Sequence, residues 1–343
     1  MRQGVVRFFL AACLLGPGLL PHLAMAGQGI YSDHDDAQAL IRELVAEGLD
    51  EKHITALINS AERQERILEA IAKPAERTLS WGEYRKIFVQ DSRIEQGLAF
   101  WREHRALLEK AEAQFGVPAE IIIAIIGVET RYGQHKGTWR AVDALATLGF
   151  DYPPRAAFFR RELKELMLLE RDAGIDASTV RGSYAGALGM PQFIPSSYRA
   201  YAVDFDGDGK IDLIDNVADV VGSVANYFRA HRWQTGLPVA ARAQVVGADA
   251  AALFGTSYET SLTLADARAK GATPLSCEDK AHRYCYDLPA DTRVAALELD
   301  GEHGSEFWLT TENFYVITRY NRSRLYAMAV LQLSREIADR MEN

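Results

Sequence analysis

One glutamate at the end of an apolar helix is the first candidate for chemistry in this sequence. The spacing predicts a helix that begins at Pro118 and continues through Ile121–Val128, a run of eight residues without a polar side chain. Glu129 follows this run and shares a helix face with Ile125 and Ile126. Apolar neighbours and the negative end of the helix dipole both disfavour an ionised carboxylate, so we expect a raised pKa. A carboxyl group that stays protonated near neutrality can act as a general acid in glycoside cleavage, whereas the alternative is a surface glutamate at a helix end.

Two groups of aromatic, hydroxyl and amide side chains could bind a polar ligand. The first is the glycine-rich loop, residues 182–193, where glycines let the backbone approach a ligand closely. Its polar and aromatic side chains are Ser183, Tyr184, Gln192 and Phe193. The second group is Tyr315, Arg319, Tyr320, Asn321 and Tyr326. This mixture suits sugars, which present apolar ring faces and hydroxyl edges, although each group alone also fits a structural turn with core aromatic residues.

The acidic loop, residues 204–215, has the spacing of a calcium-binding loop. Asp204, Asp206 and Asp208 occupy its first, third and fifth positions. Gly209 stands at the sixth position, where such loops turn sharply, and Ile211 supplies the apolar eighth residue. Because all these offsets agree, the pattern favours a metal site over a solvated acidic turn.

The end of the acidic loop departs from the usual calcium pattern. Lys210 is expected to offer its backbone carbonyl, as the seventh residue normally does. The twelfth residue is Asp215 instead of glutamate, and its shorter side chain reaches less far. Asp219, in the next predicted helix, is therefore a second candidate to close the site. We expect calcium here to stabilise the structure and not to catalyse.

Length and composition limit the classes of protein that the chain can belong to. Its 343 residues are 48% hydrophobic and 25% charged, which indicates a soluble globular protein and excludes collagen-like and largely disordered ones. The net charge of −9 argues against nucleic acid as the main partner. The sequence has neither a His-Glu-x-x-His run nor a Gly-x-Ser-x-Gly elbow, so it predicts neither a zinc peptidase nor a serine hydrolase.

The N-terminal residues predict an exported protein. A positive start is followed by the apolar stretch Phe8–Leu20, and Ala24-Met25-Ala26 has the pattern that a signal peptidase cuts. We therefore predict a signal peptide at residues 1–26 and a mature chain from Gly27. Cys13 is preceded by too few apolar residues for a lipoprotein signal.

Two cysteines remain in the predicted mature chain. Cys277 and Cys285 lie in a polar, turn-rich stretch, and in an oxidising compartment such a pair is expected to form a local disulfide. Two free thiols are the alternative. A zinc site is not expected, because these cysteines and nearby His282 do not supply four ligands.

Hydrophobic periodicity predicts a mainly helical α+β protein. The predicted helices are Ala37–Gly48, Glu51–Asn59, Arg63–Ala72, Ser92–Phe115, Ser197–Val203, Val217–Ala230 and Arg322–Met341. Three stretches alternate apolar and polar residues between Gly, Pro and Asp turns, as strands do. They are Leu237–Gly247, Ala295–Leu299 and Phe307–Thr310.

Together these segments resemble the lytic murein transglycosylase B family. The resemblance rests on Gly127–Gly133, Ser183–Tyr198, Asp204–Phe228 and Asn313–Met328, and it covers nearly the whole chain from Tyr84 onward. It implies a lysozyme-like catalytic core with an additional helical domain and a small inserted β domain. The predicted domains are a signal peptide (1–26), an N-terminal helical domain (27–80), the core with its calcium loop (81–236), a β-rich insertion (237–312) and a C-terminal segment that completes the helical body (313–343).

The resemblance also assigns roles to matching positions. Glu129 is similar to the family's single catalytic acid and base. The implied substrate contacts are Ser183, Gln192, Phe193, Tyr320, Asn321, Tyr326, Tyr84, Arg155 and Tyr227. The implied calcium ligands are Asp204, Asp206, Asp208, Lys210 and Asp219. The resemblance implies no catalytic cofactor. Some members of the family are anchored to the outer membrane by a lipid, but this sequence lacks a convincing lipoprotein signal and therefore favours a soluble periplasmic form. Its implied partners are peptidoglycan glycan strands and other proteins of cell-wall synthesis or remodelling.

The reaction that the resemblance implies is cleavage without water. The β-1,4 bond between N-acetylmuramic acid and N-acetylglucosamine breaks, and a 1,6-anhydromuramoyl end forms. One alternative is a hydrolytic muramidase that uses a second carboxylate such as Asp151 to activate water. The other is a calcium-dependent cell-wall binding protein without activity.

Overall fold

A computed structural model describes residue 31 and residues 33–72, 79–276 and 284–342. The predicted signal peptide and Cys277 lie outside these described residues. Cys285 is disulfide-bonded.

The described residues form fifteen α-helices and seven short strands. The helices are α1 (Asp35–Ala46), α2 (Glu51–Asn59), α3 (Glu65–Ala72), α4 (Trp81–Phe88), α5 (Asp91–Glu103), α6 (Arg105–Phe115), α7 (Ala119–Thr130), α8 (Ala141–Asp151), α9 (Ala156–Ala173), α10 (Pro195–Tyr201), α11 (Val217–Ala230), α12 (Ala248–Ala251), α13 (Leu264–Ala269), α14 (Glu312–Tyr320) and α15 (Arg324–Glu342). The strands are β1 (Trp139–Arg140), β2 (Arg181–Gly182), β3 (Ala240–Val245), β4 (Leu262–Thr263), β5 (Ala272–Pro274), β6 (Arg293–Gly301) and β7 (Gly304–Thr310). The predicted α+β, mainly helical class is confirmed.

Local spacing located most of these elements, with one clear error. Helices α2 and α11 have the predicted bounds, and β3, β6 and β7 fall where alternation predicted strands. The single helix predicted from Ser92 to Phe115 is wrong, because the chain leaves helical geometry at His104, with φ −112° and ψ 23°. The His104 ring lies 4.5 Å from that of Phe100, edge to face. Two helices, α5 and α6, result.

Contacts divide the chain into two compact units. In its described part, the first consists of residues 79–128, 225–276 and 284–342. It contains a five-stranded antiparallel sheet in the order β4-β6-β7-β3-β5. Phe254, Leu264, Val294 and Leu309 belong to a buried apolar cluster in this β-rich part. Helix α15 packs on α4, α5 and α14.

The second unit consists, in its described part, of residue 31 and residues 33–72 and 129–224. Helix α9 packs on α1, α8 and α10, and α8 also contacts α2 and α3. A two-residue ladder pairs Trp139 with Gly182 and Arg140 with Arg181. This ladder fixes the start of the glycine-rich loop. The domain boundaries predicted from the sequence stay predictions.

No single described helix is long and apolar enough to cross a membrane. One bent pair, Arg105–Phe115 with Ala119–Thr130 at 114°, meets the same criteria of length and composition.

Candidate active site

Glu129 lies at the end of helix α7, directly after a buried apolar segment of that helix. Residues 121–128 are all buried, Glu129 is half-buried and Thr130 is buried again. A helix that is apolar all round belongs in a core, which explains why this one accepts few polar side chains. The carboxyl group of Glu129 therefore sits where the apolar run meets partly exposed residues, as the sequence predicts.

The chain turns sharply after Glu129, and Thr130 holds the turn. Thr130 Oγ1 donates a hydrogen bond to the carbonyl oxygen of Met190 at 2.8 Å and accepts one from the Gly133 amide at 3.0 Å. Arg131 and Tyr132 have φ angles of 53° and 59°, a left-handed conformation that is costly for residues with a side chain. The helix end is thus fixed by a side chain that is 1% exposed.

The glycine-rich loop meets this helix end through Met190. Within the loop, Ser183 Oγ accepts hydrogen bonds from the amides of Ala185 and Ala187 at 3.3 and 3.1 Å. Gln192 has a φ of 51°, and its Nε2 donates to the carbonyl oxygens of Gly189 and Lys136 at 2.8 and 3.1 Å. The predicted contacts Ser183 and Gln192 therefore belong to one rigid loop that is bonded to the residue after Glu129.

A close backbone approach explains the glycine at position 137. Its φ is +96°, and a Cβ atom there would lie 2.1 Å from the carbonyl carbon and oxygen of Gly182. Only glycine fits at such a distance. This contact holds the segment after α7 against the first residues of the glycine-rich loop.

Three carboxylates meet where the acidic loop contacts the first turn of α11. Oxygen atoms of Asp204, Asp206 and Asp219 lie within 4.8 Å of one another, as a metal site requires. Asp219 is fully buried, and its two oxygens accept hydrogen bonds from the amides of Phe205 and Asp212, both at 2.8 Å. Burial raises the pKa of Asp219, and the charges of Asp206 and Asp204 raise it further. A cation would offset the charge of these three carboxylates, so the donor set fits a divalent, oxygen-binding metal such as calcium.

The other predicted ligands lie outside this group of three. Asp208 Oδ1 accepts a hydrogen bond from the Lys210 amide at 2.8 Å. Asp215 Oδ1 is 2.7 Å from Nζ of Lys136, and the Asp215 side chain is 76% exposed. Of the two candidates to close the loop, Asp219 lies with the other carboxylates and Asp215 is bound to a lysine.

The predicted substrate contacts of the first unit form a second group, the tyrosine cluster of Tyr227, Tyr320 and Tyr326. The ring of Tyr320 lies 4.8 Å from that of Tyr227 and 6.5 Å from that of Tyr326. Asn321 adjoins the cluster and is fully buried, yet neither polar atom of its amide has a hydrogen-bond partner among the described residues. Such an orphaned amide in a native fold calls for a ligand or a water.

Of the remaining predicted contacts, Tyr84 and Phe193 are buried and Arg155 is half-buried. Tyr84 is 2% exposed and its ring lies 5.1 Å from that of Phe88. In the second unit, the Arg155 guanidinium lies 4.5 Å from the ring of Phe158, and burial lowers its pKa. Phe193, also in the second unit, is 2% exposed. Tyr84, Tyr227, Tyr320, Asn321 and Tyr326 thus lie in the first unit, and Arg155, Ser183, Gln192 and Phe193 in the second.

Comparison with known proteins decides the family. Residues 32–335 match the family model of the transglycosylase SLT domain. The chain belongs to the SLT-domain lytic transglycosylases. It is 39% identical over 329 residues to membrane-bound lytic murein transglycosylase B of Escherichia coli K12. The aligned region covers 92% of this chain and 86% of that relative. The predicted family and the activity of a lytic transglycosylase, an enzyme that acts on peptidoglycan, are confirmed.

Solved structures of lytic transglycosylases share this fold. The soluble lytic transglycosylase SltB1 of Pseudomonas aeruginosa is 46% identical with a TM-score of 0.82, over 89% of this chain and 99% of that one. The Escherichia coli lytic transglycosylase Slt35, solved in complex with calcium, is 38% identical with a TM-score of 0.82, over 92% and 96% of the two chains.

Sequence reasoning missed three residues of this lytic transglycosylase. Thr130 and Lys136 bond to segments distant in the chain, and local spacing does not indicate these partners. His231 stacks on Tyr227 with ring centroids 4.1 Å apart, and its Nδ1 lies 2.8 Å from the Tyr227 carbonyl oxygen. The four-residue spacing of Tyr227, in α11, and His231, directly after its end, is the one signal that could have indicated such a pair.

Proposed function

We propose that this lytic transglycosylase cleaves the β-1,4 bond between N-acetylmuramic acid and N-acetylglucosamine without water. The product strand then ends in a 1,6-anhydromuramoyl residue. The observation that carries the proposal is the half-buried carboxyl group of Glu129 at the end of the apolar helix α7. A carboxyl group in such surroundings is suited to donate a proton.

Glu129 acts twice in the proposed reaction. As an acid it protonates the glycosidic oxygen, and the bond between that oxygen and C1 of the muramyl ring breaks. As a base its carboxylate then takes the proton of the C6 hydroxyl of the same ring, whose oxygen bonds to C1. The proton balance closes with Glu129 protonated again, so neither water nor a second carboxylate is consumed.

The contacts of Asp151 favour this route over hydrolysis. A muramidase needs a second carboxylate to activate water. Asp151 Oδ2 accepts a hydrogen bond from the Tyr31 hydroxyl at 2.5 Å and lies 3.3 Å from Nε of Arg63. Its carboxylate is therefore already engaged by two side chains of the same unit.

We assign substrate binding to the residues that the resemblance names. Glycan contacts in the second unit are Ser183, Gln192, Phe193 and Arg155, and those in the first unit are Tyr84, Tyr227, Tyr320, Asn321 and Tyr326. The orphaned amide of Asn321 supports this assignment, because a sugar hydroxyl or acetamido group can supply the missing hydrogen bonds.

Calcium binding to the acidic loop is part of the proposal. Asp204, Asp206 and Asp219 would supply carboxylate oxygens, with Asp208 and the carbonyl of Lys210 completing the set. The meeting of three carboxylates supports this, as does the calcium complex of Slt35. The cation would neutralise these carboxylates and so stabilise the loop, and it takes no part in the chemical steps.

The proposed location is the periplasm, after removal of residues 1–26. The signal pattern at the N-terminus and the cell-wall substrate of the family support it. Sequencing the N-terminus of the mature protein is the direct check, and a mature chain that begins at Cys13 would indicate a lipoprotein instead.

The decisive experiment is digestion of purified peptidoglycan followed by mass spectrometry of the released muropeptides. The wild-type protein should release products one water lighter than hydrolysis products, and Glu129→Gln should release none. Glu120→Gln, the same change at the other end of α7, is the matched control and should remain active. Products of full hydrolytic mass would instead identify a muramidase, and activity in Glu129→Gln would exclude Glu129 as the acid.

A further inference from the structure

We infer that Thr130 is a positioning residue for Glu129, which it holds in place through the backbone of Met190. The inference rests on the proposed role of Glu129. It starts from three successive hydrogen bonds within the second unit. The Gly133 amide donates to Thr130 Oγ1 at 3.0 Å, Thr130 Oγ1 donates to the Met190 carbonyl at 2.8 Å, and the Met190 amide donates to the Leu213 carbonyl at 2.8 Å.

Met190 is held from both sides by these bonds. Leu213 belongs to the acidic loop, and Met190 belongs to the glycine-rich loop. The two loops also touch at Gly189, where a Cβ atom would lie 2.2 Å from the Leu213 carbonyl oxygen. The anchor that Thr130 bonds to is therefore itself fixed, and a fixed anchor can define the position of a neighbouring side chain.

Glu129 needs such an anchor because helix α7 ends at the next residue. The last carbonyls of a helix lack partners within the helix, so helix ends fray unless something else binds them. The two residues that follow Thr130 are both left-handed, which adds to the tendency to unwind. The Thr130 hydroxyl joins the turn on one side to the glycine-rich loop on the other. Within the turn, the His135 amide also donates to the Thr130 carbonyl at 2.9 Å. Without the hydroxyl, the residue that follows Glu129 loses its hydrogen bond to the glycine-rich loop.

A general acid tolerates little displacement. A misplacement of about 1 Å can cost about 100-fold in rate, even when its cause lies outside the reacting groups. Substrate affinity depends on many other contacts, so it should change little. The inference therefore predicts a loss in kcat and not in KM, the pattern of an interaction that counts in the transition state.

The test compares two substitutions at Thr130 in the full chain. Thr130→Val keeps the branched shape and removes the hydroxyl, whereas Thr130→Ser keeps the hydroxyl. Thr147→Val is the matched control for stability. Thr147 is fully buried in the same unit, and its Oγ1 likewise accepts one amide hydrogen bond, from Gln64 at 3.0 Å, and donates to one carbonyl, that of Glu62.

Thr130→Val should lower kcat about 10- to 100-fold with KM within about twofold, and Thr130→Ser should restore kcat to within about threefold of wild type. Thr147→Val should lower the melting temperature and leave kcat unchanged. Equal kcat values for Thr130→Val and Thr147→Val would overturn the inference, as would a serine variant as impaired as the valine variant. If Glu129→Gln is inactive and Thr130→Val is fully active, this inference is rejected and the proposed mechanism stands. If Glu129→Gln is active, the proposed mechanism itself is rejected.

Discussion

Nζ of Lys136 lies 2.7 Å from Asp215 Oδ1 and 2.9 Å from the carbonyl oxygen of Ile214. The carbonyl oxygen of the same lysine accepts the hydrogen bond of Gln192 Nε2 at 3.1 Å. Lys136 thus connects the end of the acidic loop with the glycine-rich loop. Asp215 serves this connection, and its oxygen is satisfied without a metal.

The first prediction separates the two aspartates at the end of the acidic loop. Asp215→Asn should keep the calcium-dependent rise in melting temperature, because its carboxylate binds Lys136. Asp219→Asn should abolish this rise, because the Asp219 carboxylate lies with those of Asp204 and Asp206. Melting curves with calcium and with a chelator measure both. A calcium response that disappears in Asp215→Asn and survives in Asp219→Asn would reverse the assignment.

The second prediction concerns the orphaned amide of Asn321. Asn321→Leu keeps the branch at Cγ and removes the two polar atoms that have no partner among the described residues. Removing buried unsatisfied groups should stabilise the protein by about 1–3 kcal/mol, while the loss of hydrogen bonds to the glycan raises KM. Urea unfolding and steady-state kinetics measure the two effects. A variant that is less stable and binds substrate normally would show that the amide serves the fold and not the substrate.

The third prediction tests the close approach at Gly137. Gly137→Ala should cost about 3 kcal/mol of stability, because its Cβ would overlap the Gly182 carbonyl, and it should reduce activity by moving the glycine-rich loop. Gly174 is the control: its φ of +68° is also left-handed, and a Cβ there has no atom within 4 Å. Gly174→Ala should cost only about 1 kcal/mol and leave activity intact. Equal costs in chemical denaturation would mean that the backbone at Gly137 can yield.

The fourth prediction is a pH dependence that arises at His231. Burial lowers the pKa of His231 below its ordinary value, and the charge of Arg319 lowers it further. The unfolded chain therefore binds the proton first. Neutral His231 contributes fully to stability above the ordinary histidine pKa of about 6.5. This contribution is lost as the pH falls through that value toward the pKa of His231 in the folded protein.

His231→Asn provides the measurement for this dependence. The asparagine amide can replace Nδ1 as a donor to the Tyr227 carbonyl but does not titrate in this range. When the pH is lowered from 7.5 to 5.5, the urea concentration at the unfolding midpoint should decrease in both proteins, because other groups titrate as well. The decrease should be smaller in the variant. Identical pH profiles would exclude His231 as the cause.

Short-range spacing in the sequence indicates candidate residues but not the contacts that position them. The apolar run before Glu129 makes it a candidate that the family resemblance supports, and the acidic loop follows from offsets within twelve residues. The hydrogen bond between Thr130 and Met190 joins positions 60 residues apart, and the ion pair of Lys136 and Asp215 joins positions 79 apart. Periodicity describes one element at a time and contains no information about such partners. For the same reason the sequence left Asp215 and Asp219 as alternatives, which only their three-dimensional neighbours separate.

During synthesis, the packing of the first unit can be completed only after its C-terminal helix α15 has been made. Helix α15 covers α4 and α5, and Arg340 near its end bonds to Asp91 at 2.6 Å across 249 positions of sequence. Until α15 has been synthesised, the apolar faces of α4 and α5 have no cover from this helix. A chain cut short before Arg324 would leave these faces without that cover, so we expect a late truncation to destabilise the first unit.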